Sequence, residues 1–405
     1  MNLEQRLPQS EKLWLSSIDF NPGHLLPAEL TSRQRVLFAL NHCEPDRVPI
    51  DCGGRYSTMH VYTHRRLKNY FGLHGGVEVI RNYFVYQALV DERIRNRFQS
   101  DIILFEPDPP SGWELKINPK TNSYRDEWGV LYRMPPDGLY YDYYEHPLKN
   151  ATIDQINNYA WPNPKDPGRF RNLKPRIEEA HKFSNKAIML SSAIDFAWGH
   201  TQRLRGVEQA LVDLVTNQKI IEYLADKITD WHKAHWEELL RGIGKYVDII
   251  VLVDDYGGQN GPIFSPEVFR GIYKPCLKKL ISFLHIHTDA RIFLHSCGSI
   301  RWAIPDFIEC GVEILNPVQV DAFDMETDKL KHDFGDQITF WGGGCDQALL
   351  ATGLPHEIEN EVSTRIQDLA PGGGYIFAPV HNIQPNVPPQ NVIALYDSAM
   401  KYGRY

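Results

Sequence analysis

Along the 405 residues, short runs of apolar or β-branched residues alternate with longer stretches whose apolar positions recur every three or four residues. The runs are "RVPID" (47–51), "DIILF" (101–105), "AIMLSS" (187–192), "DIIVLVDD" (248–255), "RIFLHS" (291–296), "EILNP" (313–317), "ITFWGGG" (338–344) and "YIFAPVH" (375–381). Near-continuous hydrophobicity within a run suits a parallel strand covered on both faces. Residues 206–240 and 355–370 carry helical spacing, the latter with Pro355 in a first turn and Pro371 just beyond its end. Eight strand runs with helical connections predict an α/β protein, a (β/α)8 (TIM) barrel. The count alone also admits a doubly wound open sheet.

One segment breaks the alternation. Residues 113–134 alternate with period two around Asn-Pro-Lys-Thr-Asn at 118–122, which predicts a β-hairpin. The expected organisation is an N-terminal extension over 1–30 and a barrel over 31–405, with an insertion over 106–165 after the second strand. In a barrel that insertion lies on the C-terminal rim. It is either a lid or docking surface over the mouth, or a packed surface excursion.

Composition narrows the partners. A formal charge of −8 argues against nucleic acid or an anionic membrane as the main partner. No apolar run approaches the ~18 residues of a membrane span. The opening "MNLEQRLPQSEKLWL" lacks the basic start and apolar centre of a signal peptide. The six cysteines are scattered without framework spacing, as in a reducing compartment, and a cytoplasmic protein is expected.

The strand ends carry the chemistry. In a barrel, catalytic groups sit where strands end at the C-terminal face. Here those ends hold Asp254 and Asp255, His295 and Cys297, Cys345 and Asp346, and His381 and Asn382. Two thiolates and an imidazole suit Zn²⁺, so His295, Cys297 and Cys345 are the expected metal ligands. Alternate residues of an extended strand end share a face, so His295 and Cys297 can both look to the axis. Three glycines before Cys345 allow that backbone a close approach. Three protein ligands would leave a fourth position open, as in catalytic zinc sites. A His-X-Cys pair alone means little, because cysteine is a common small buried hydrophobe. Asp254 and Asp255 are catalytic candidates that could orient His295 or add a ligand, or one of them could cap a turn. His381 is either catalytic or a core histidine. Cys43, Cys276 and Cys310 read as structural, and Cys52 is ambiguous.

At these residues the chain resembles the uroporphyrinogen decarboxylase superfamily. "LTSRQRVLFALNHCEPDRVPID", "VDDYGGQNGPIFSPEVFRGIYKPCLKKLI" and "APVHNIQPNVPPQNVIALY" are similar to its N-terminal, central and C-terminal segments. "LHSCGS" with "WGGGCDQ" is similar to its zinc-binding methyltransferase branch. The resemblance implies a (β/α)8 barrel and transfer of a methyl group between a small molecule and a corrinoid cofactor. It implies zinc on His295, Cys297 and Cys345, with Arg55, Tyr56 and Asn382 touching substrate. The sequence holds no Asp-X-His-X-X-Gly cobalamin motif, so the corrinoid would arrive on a partner protein. The small-molecule partner would be a methyl donor or a thiol or pterin acceptor, and a homodimer is compatible with the likeness. The runner-up is a metal-independent porphyrinogen decarboxylase. That reading is weakened because "RVPIDCGGRYSTMH" lacks the second loop arginine that polycarboxylate recognition would want. A non-enzymatic barrel with structural zinc would need a closed four-ligand site, and no fourth cysteine or histidine has suitable spacing.

Overall fold

The computed structural model describes residues 29–405. Most of the expected N-terminal extension therefore lies outside the described residues. A seven-stranded sheet runs through β2 (Ile102–Phe105), β3 (Ala187–Ser191), β4 (Ile249–Val253), β5 (Arg291–His295), β6 (Ile314–Asn316), β7 (Thr339–Trp341) and β8 (Tyr375–Ile376). Each strand is parallel to the next. The extended segment 49–51, here β1, closes the ring. Asp51 N donates to Phe377 O (2.8 Å) and Phe377 N to Pro49 O (2.8 Å) on one side, and Asp101 N donates to Ile50 O (2.7 Å) on the other. The result is a (β/α)8 barrel, and each of the eight apolar runs supplies one stave.

Period two sorts every strand into two layers. Ile249, Val251 and Val253 of β4 pack inside the barrel with Met189, Phe293, Trp341 and Ile376. Ile250 and Leu252 face the helices, with Ile188, Leu190, Ile292 and Leu294. Both faces of these strands are dry, which is why the sequence shows runs rather than alternation. The acid leading three of the runs serves the N-terminal face. Asp101, Asp248 and Glu313 each accept from an amide near the start of a neighbouring strand, Ile50 N (2.8 Å), Ile188 N (2.8 Å) and Ile292 N (3.1 Å).

The helices that position the site are α1 (Ala197–Arg205), α2 (Gln218–Leu240) and α3 (Pro355–Leu369). The long helical stretch predicted over 206–240 is split at Asn217, whose φ of −153° leaves the helical region. Pro355 stands in the first turn of α3, as expected.

Between β2 and β3 a three-stranded antiparallel sheet forms from Ser123–Arg125, Leu131–Arg133 and Asp142–Glu145. The predicted turn at 118–122 forms, and a second reversal at 126–130 pairs the first two strands of the sheet. Asp126 gathers the reversal by accepting from Trp128 N (3.0 Å) and Val130 N (2.9 Å), and Gly129 takes φ +77°. The Asn-Pro-Lys-Thr-Asn stretch is itself a turn, closed by Asn118 N donating to Ser123 O (2.8 Å) with Lys120 N donating to Asn118 Oδ1 (3.0 Å). The small sheet has its own core, in which Tyr124, Trp128, Val130, Tyr132 and Tyr141 pack on Leu224, Ile228 and Trp231 of α2. Tyr143 from its last strand reaches the barrel mouth. Among the described residues no helix is long and apolar enough to cross a membrane.

Candidate active site

A cavity of about 200 Å³ opens at the C-terminal ends of the strands. β4 brings Asp254 and Asp255 to it and β5 brings His295 and Cys297. The loop after β8 adds His381 and Asn382, and the loop after β1 adds Arg55 and Tyr56. Phe84 and Tyr143 complete an aromatic wall.

Strand parity separates the two adjacent aspartates. Val253 faces inward, so Asp255 does too, and Asp254 points out towards the helix layer. There Asp254 accepts from Trp198 N (2.9 Å), Gly199 N (2.5 Å) and the Tyr256 hydroxyl (2.7 Å). It caps α1, whose own N-cap residue Phe196 has no capping side chain. Burial pushes its carboxyl up to about 8, against the pull of these three donors. Capping is one of the roles the sequence leaves open for this pair, and Asp254 also lines the cavity.

Asp255, His295 and Cys297 place one donor atom each within 4.8 Å of one another. His295 Nε2 is 3.2 Å from Cys297 Sγ and 3.8 Å from Asp255 Oδ1. Ligands ~2.0–2.3 Å from a tetrahedral ion lie about 3.3–3.6 Å apart, so this set fits a borderline divalent metal with little adjustment. Asp255 Oδ1 also accepts from Cys297 N (2.8 Å), which ties the two loops together. The glycine after the thiol is required by crowding. At Gly298, φ is +87° and a Cβ would meet the Gly257 carbonyl at 2.5 Å.

The His295 ring is fixed from two sides. Tyr56 stacks on it at 3.4 Å between centroids, 13° from parallel. Asn316 Oδ1 sits 2.6 Å from Nδ1, while Asn316 Nδ2 donates to Trp341 O (2.8 Å). Burial lowers the His295 pKa to about 4, outweighing the Asp255 charge, and His381 is lowered by the same cause. Burial and then Asp255 push the Cys297 thiol well above its ordinary value. Burial thus favours the neutral form of both imidazoles, and a nearby cation would favour the thiolate.

Cys345, the third expected ligand, lies apart from this cluster: among the described residues the candidate metal group is Asp255, His295 and Cys297. Cys345 is buried in the layer that packs on the helices, with Glu361 and Arg365 of α3 as charged neighbours. Strand parity fails here because Gly342 and Gly343 take φ +101° and +75° and turn the chain outward. Asp346 then immediately caps the next helix, accepting from Leu349 N (2.7 Å). Cys345→Ala is expected to keep full metal content and lose about 1 kcal/mol of stability, the scale of one small buried group. Metal analysis with a urea melt checks both.

Arg55 lines the cavity, but its charge is engaged. Glu106 accepts from Arg55 Nη1 (2.5 Å) and, with both oxygens, from Arg81 Nη1 (2.9 Å each). Burial raises the Glu106 carboxyl, yet the Arg81 and Arg55 charges outweigh it and hold the group below its usual range. Arg203 is likewise paired, with Asp195. Asn382 Oδ1 accepts from Thr58 N (3.2 Å), which leaves its amide N–H groups for the cavity. Sequence reasoning missed Asn316, Glu106 and Arg81. The signal for Asn316 was present, since it is the one polar residue at the rim end of "EILNP".

The model of a family described as uroporphyrinogen decarboxylase (URO-D) matches residues 133–402, about two thirds of the chain. The chain belongs to the uroporphyrinogen decarboxylase family. The matched span holds β3 to β8 and with them Asp255, His295, Cys297 and His381, and it omits the loop carrying Arg55 and Tyr56. A uroporphyrinogen decarboxylase of Pseudoalteromonas translucida is 23% identical over 208 residues, 49% of this chain and 52% of the relative. One of Idiomarina loihiensis is 23% identical over 284 residues, 66% of this chain and 73% of the relative. The chain thus spans about half the length of the first relative and about three quarters of the second. Among solved structures, a methyltransferase from Methanosarcina mazei shares the fold at TM-score 0.60 and 18% identity, covering 92% of this chain and 99% of that one.

Proposed function

We propose that this member of the URO-D family is a zinc-dependent methyltransferase that moves a methyl group between a small molecule and a corrinoid held by a separate protein. The observation that carries the reading is the Asp255–His295–Cys297 cluster, with the His295 ring locked by Asn316 and Tyr56. The fold shared with a protein named a methyltransferase supports it.

Asp255, His295 and Cys297 would hold zinc and leave a coordination position open. Zinc bound there supplies Lewis acidity, which ionises an incoming thiol or polarises the heteroatom that carries the methyl group. The chain's own residues do the rest. Asn316 and Tyr56 orient His295, and Asp255 steadies the Cys297 backbone. The wall of Phe84 and Tyr143 limits water and shapes a pocket for a small substrate. The segment carrying Tyr143 is proposed to act as the cover of the mouth.

The names of the curated relatives favour decarboxylation of a porphyrinogen as the second reading. Two features weigh against it. Arg55, Arg81 and Arg203 are already paired with Glu106 and Asp195. The cavity, about 200 Å³, lies below the usual ~300–1,000 Å³ of small-molecule sites and is small for a polycarboxylate macrocycle.

The test runs both reactions on one preparation. The zinc-loaded chain is mixed with methylcob(III)alamin and a panel of small thiols, and loss of the methylcobalamin absorbance is followed. In parallel it is given uroporphyrinogen, and carboxylate loss is read by chromatography. Turnover in the first assay that disappears on chelation is the expected result. Metal-independent decarboxylation with no methyl transfer would replace the proposal by the second reading.

A further inference from the structure

The small sheet between β2 and β3 is seated on α1 and α2 beside three imidazole rings. His200 of α1 packs edge-on against Trp128 of the second reversal, 4.0 Å between centroids. His235 of α2 stacks on Trp231 (4.8 Å, 25°), which itself packs on Trp128 (4.8 Å). His232 of α2 packs on Phe196 and Trp231. All three rings keep 2% or less of their exposure. His232 Nε2 donates to Asp195 O and His235 Nδ1 to Pro164 O, both at 3.0 Å, because a backbone carbonyl only accepts. Their other ring nitrogens, and both nitrogens of His200, are buried without a partner. A proton added there becomes a buried charge with no acceptor. The charged groups around the joint are already engaged. Arg203 of α1 pairs with Asp195, and Arg169, from the segment that follows the small sheet, pairs with Glu127. Asp126 of the reversal accepts from Trp128 N, Val130 N and the Tyr132 hydroxyl. Burial lowers the pKa of all three rings, His232 to about 4 and His235 to about 3. The Arg203 charge adds to the effect at His200, and the Arg169 charge at His235.

We infer that His200, His232 and His235 form a proton-sensitive joint: the segment between β2 and β3 stays seated while these rings are neutral and detaches from α1 and α2 as the pH falls. Detachment carries Tyr143 away from the cavity wall, so the joint sets access to the mouth. That use rests on the proposed cover role of the segment, whereas the joint itself rests on the buried rings. Once detached, the rings titrate near their ordinary value of about 6.5. Their value in the seated state lies below it, so the seating is fully stable above about pH 6.5 and loses stability as the pH falls from there. Between pH 7 and 6 each ring that becomes exposed raises the opening constant about threefold, hence about 10-fold for two rings and about 30-fold for three. Burial raises the Asp126 carboxyl to about 6. It therefore favours the seated state below that pH, an offset of no more than about twofold at pH 6.

The test is hydrogen exchange of the full-length chain, read by mass spectrometry at pH 7 and 6 and corrected for the intrinsic exchange rate. The Leu148 amide reports directly, because it donates to Leu204 O of α1 across the joint (2.9 Å). Peptides covering Leu148 and residues 123–133 should open about 10- to 30-fold more at pH 6, while β4 and β5 stay protected at both values. His200→Phe removes a titrating ring and no hydrogen bond, and His235→Asn keeps a donor for Pro164 O. Each should lower the pH factor about threefold, a ratio that does not depend on how stable the variant is. A rise below about fivefold in the wild type, loss of protection in β4 and β5 together with the small sheet, or an unchanged factor in both variants overturns the inference. Opening as stated in a chain that shows no methyl transfer overturns the proposed function and leaves the joint standing.

Discussion

Cys297→Ser is expected to lose tightly bound metal and to reduce methyl transfer by at least about 10³-fold. A hydroxyl is a far poorer ligand than a thiolate for a borderline metal. Loss of a Lewis acid removes several kcal/mol of transition-state stabilisation, and each ~1.4 kcal/mol is tenfold in rate. The fold should survive, because Cys297 belongs to none of the apolar clusters that build the barrel interior and the helix layer. His295→Ala should behave in the same way. Metal content, far-ultraviolet circular dichroism and the methylcobalamin assay on the two variants decide the matter. Wild-type activity in Cys297→Ser would remove the metal from the mechanism. Porphyrinogen decarboxylation would be indifferent to this change.

Glu106→Gln should destabilise the fold by about 3–5 kcal/mol, the scale of removing one partner from a buried ion pair. The side chains of Arg55, Arg81 and Glu106 keep only 7%, 8% and 16% of their exposure, so water offers the two guanidiniums little compensation. The midpoint of a urea transition reports the loss. Adding Arg55→Gln should recover part of it, since one unpaired buried charge is then removed. A loss under about 1 kcal/mol would mean that the pocket is wetter than the structure shows. Freed from Glu106, Arg55 would face the cavity uncompensated, and weak anions should bind there better than in the wild type.

The barrel was legible because each strand is dry on both faces, and dry strands write themselves as apolar runs. The rim was legible where the strand simply continues. Parity carries His295 inward after Phe293, and Asp255 inward after Val253. The same rule distinguishes Asp254 from Asp255, but only once the inward face of β4 is known. A run apolar at every position does not reveal that face. Parity fails at Cys345, where two left-handed glycines precede the thiol. The glycines were visible and pointed to close approach, while the direction of the turn depends on backbone angles that residue types do not fix. Asn316 was visible as a polar residue at a strand end, but its role was not, because it lies in which way the amide faces, and that is settled by the Trp341 carbonyl. The turn at 118–122 was legible, while the second reversal was not, because it rests on Asp126 collecting the Trp128 and Val130 amides.

Zinc is proposed to sit on Asp255, His295 and Cys297 without Cys345. X-ray absorption at the zinc edge, on the full-length chain loaded with one equivalent of zinc, tests it most directly. A single sulfur at about 2.3 Å is expected, with the remaining ligands nitrogen or oxygen at about 2.0–2.1 Å, and the same spectrum in Cys345→Ala. Two sulfurs in the wild type, falling to one in Cys345→Ala, would contradict it.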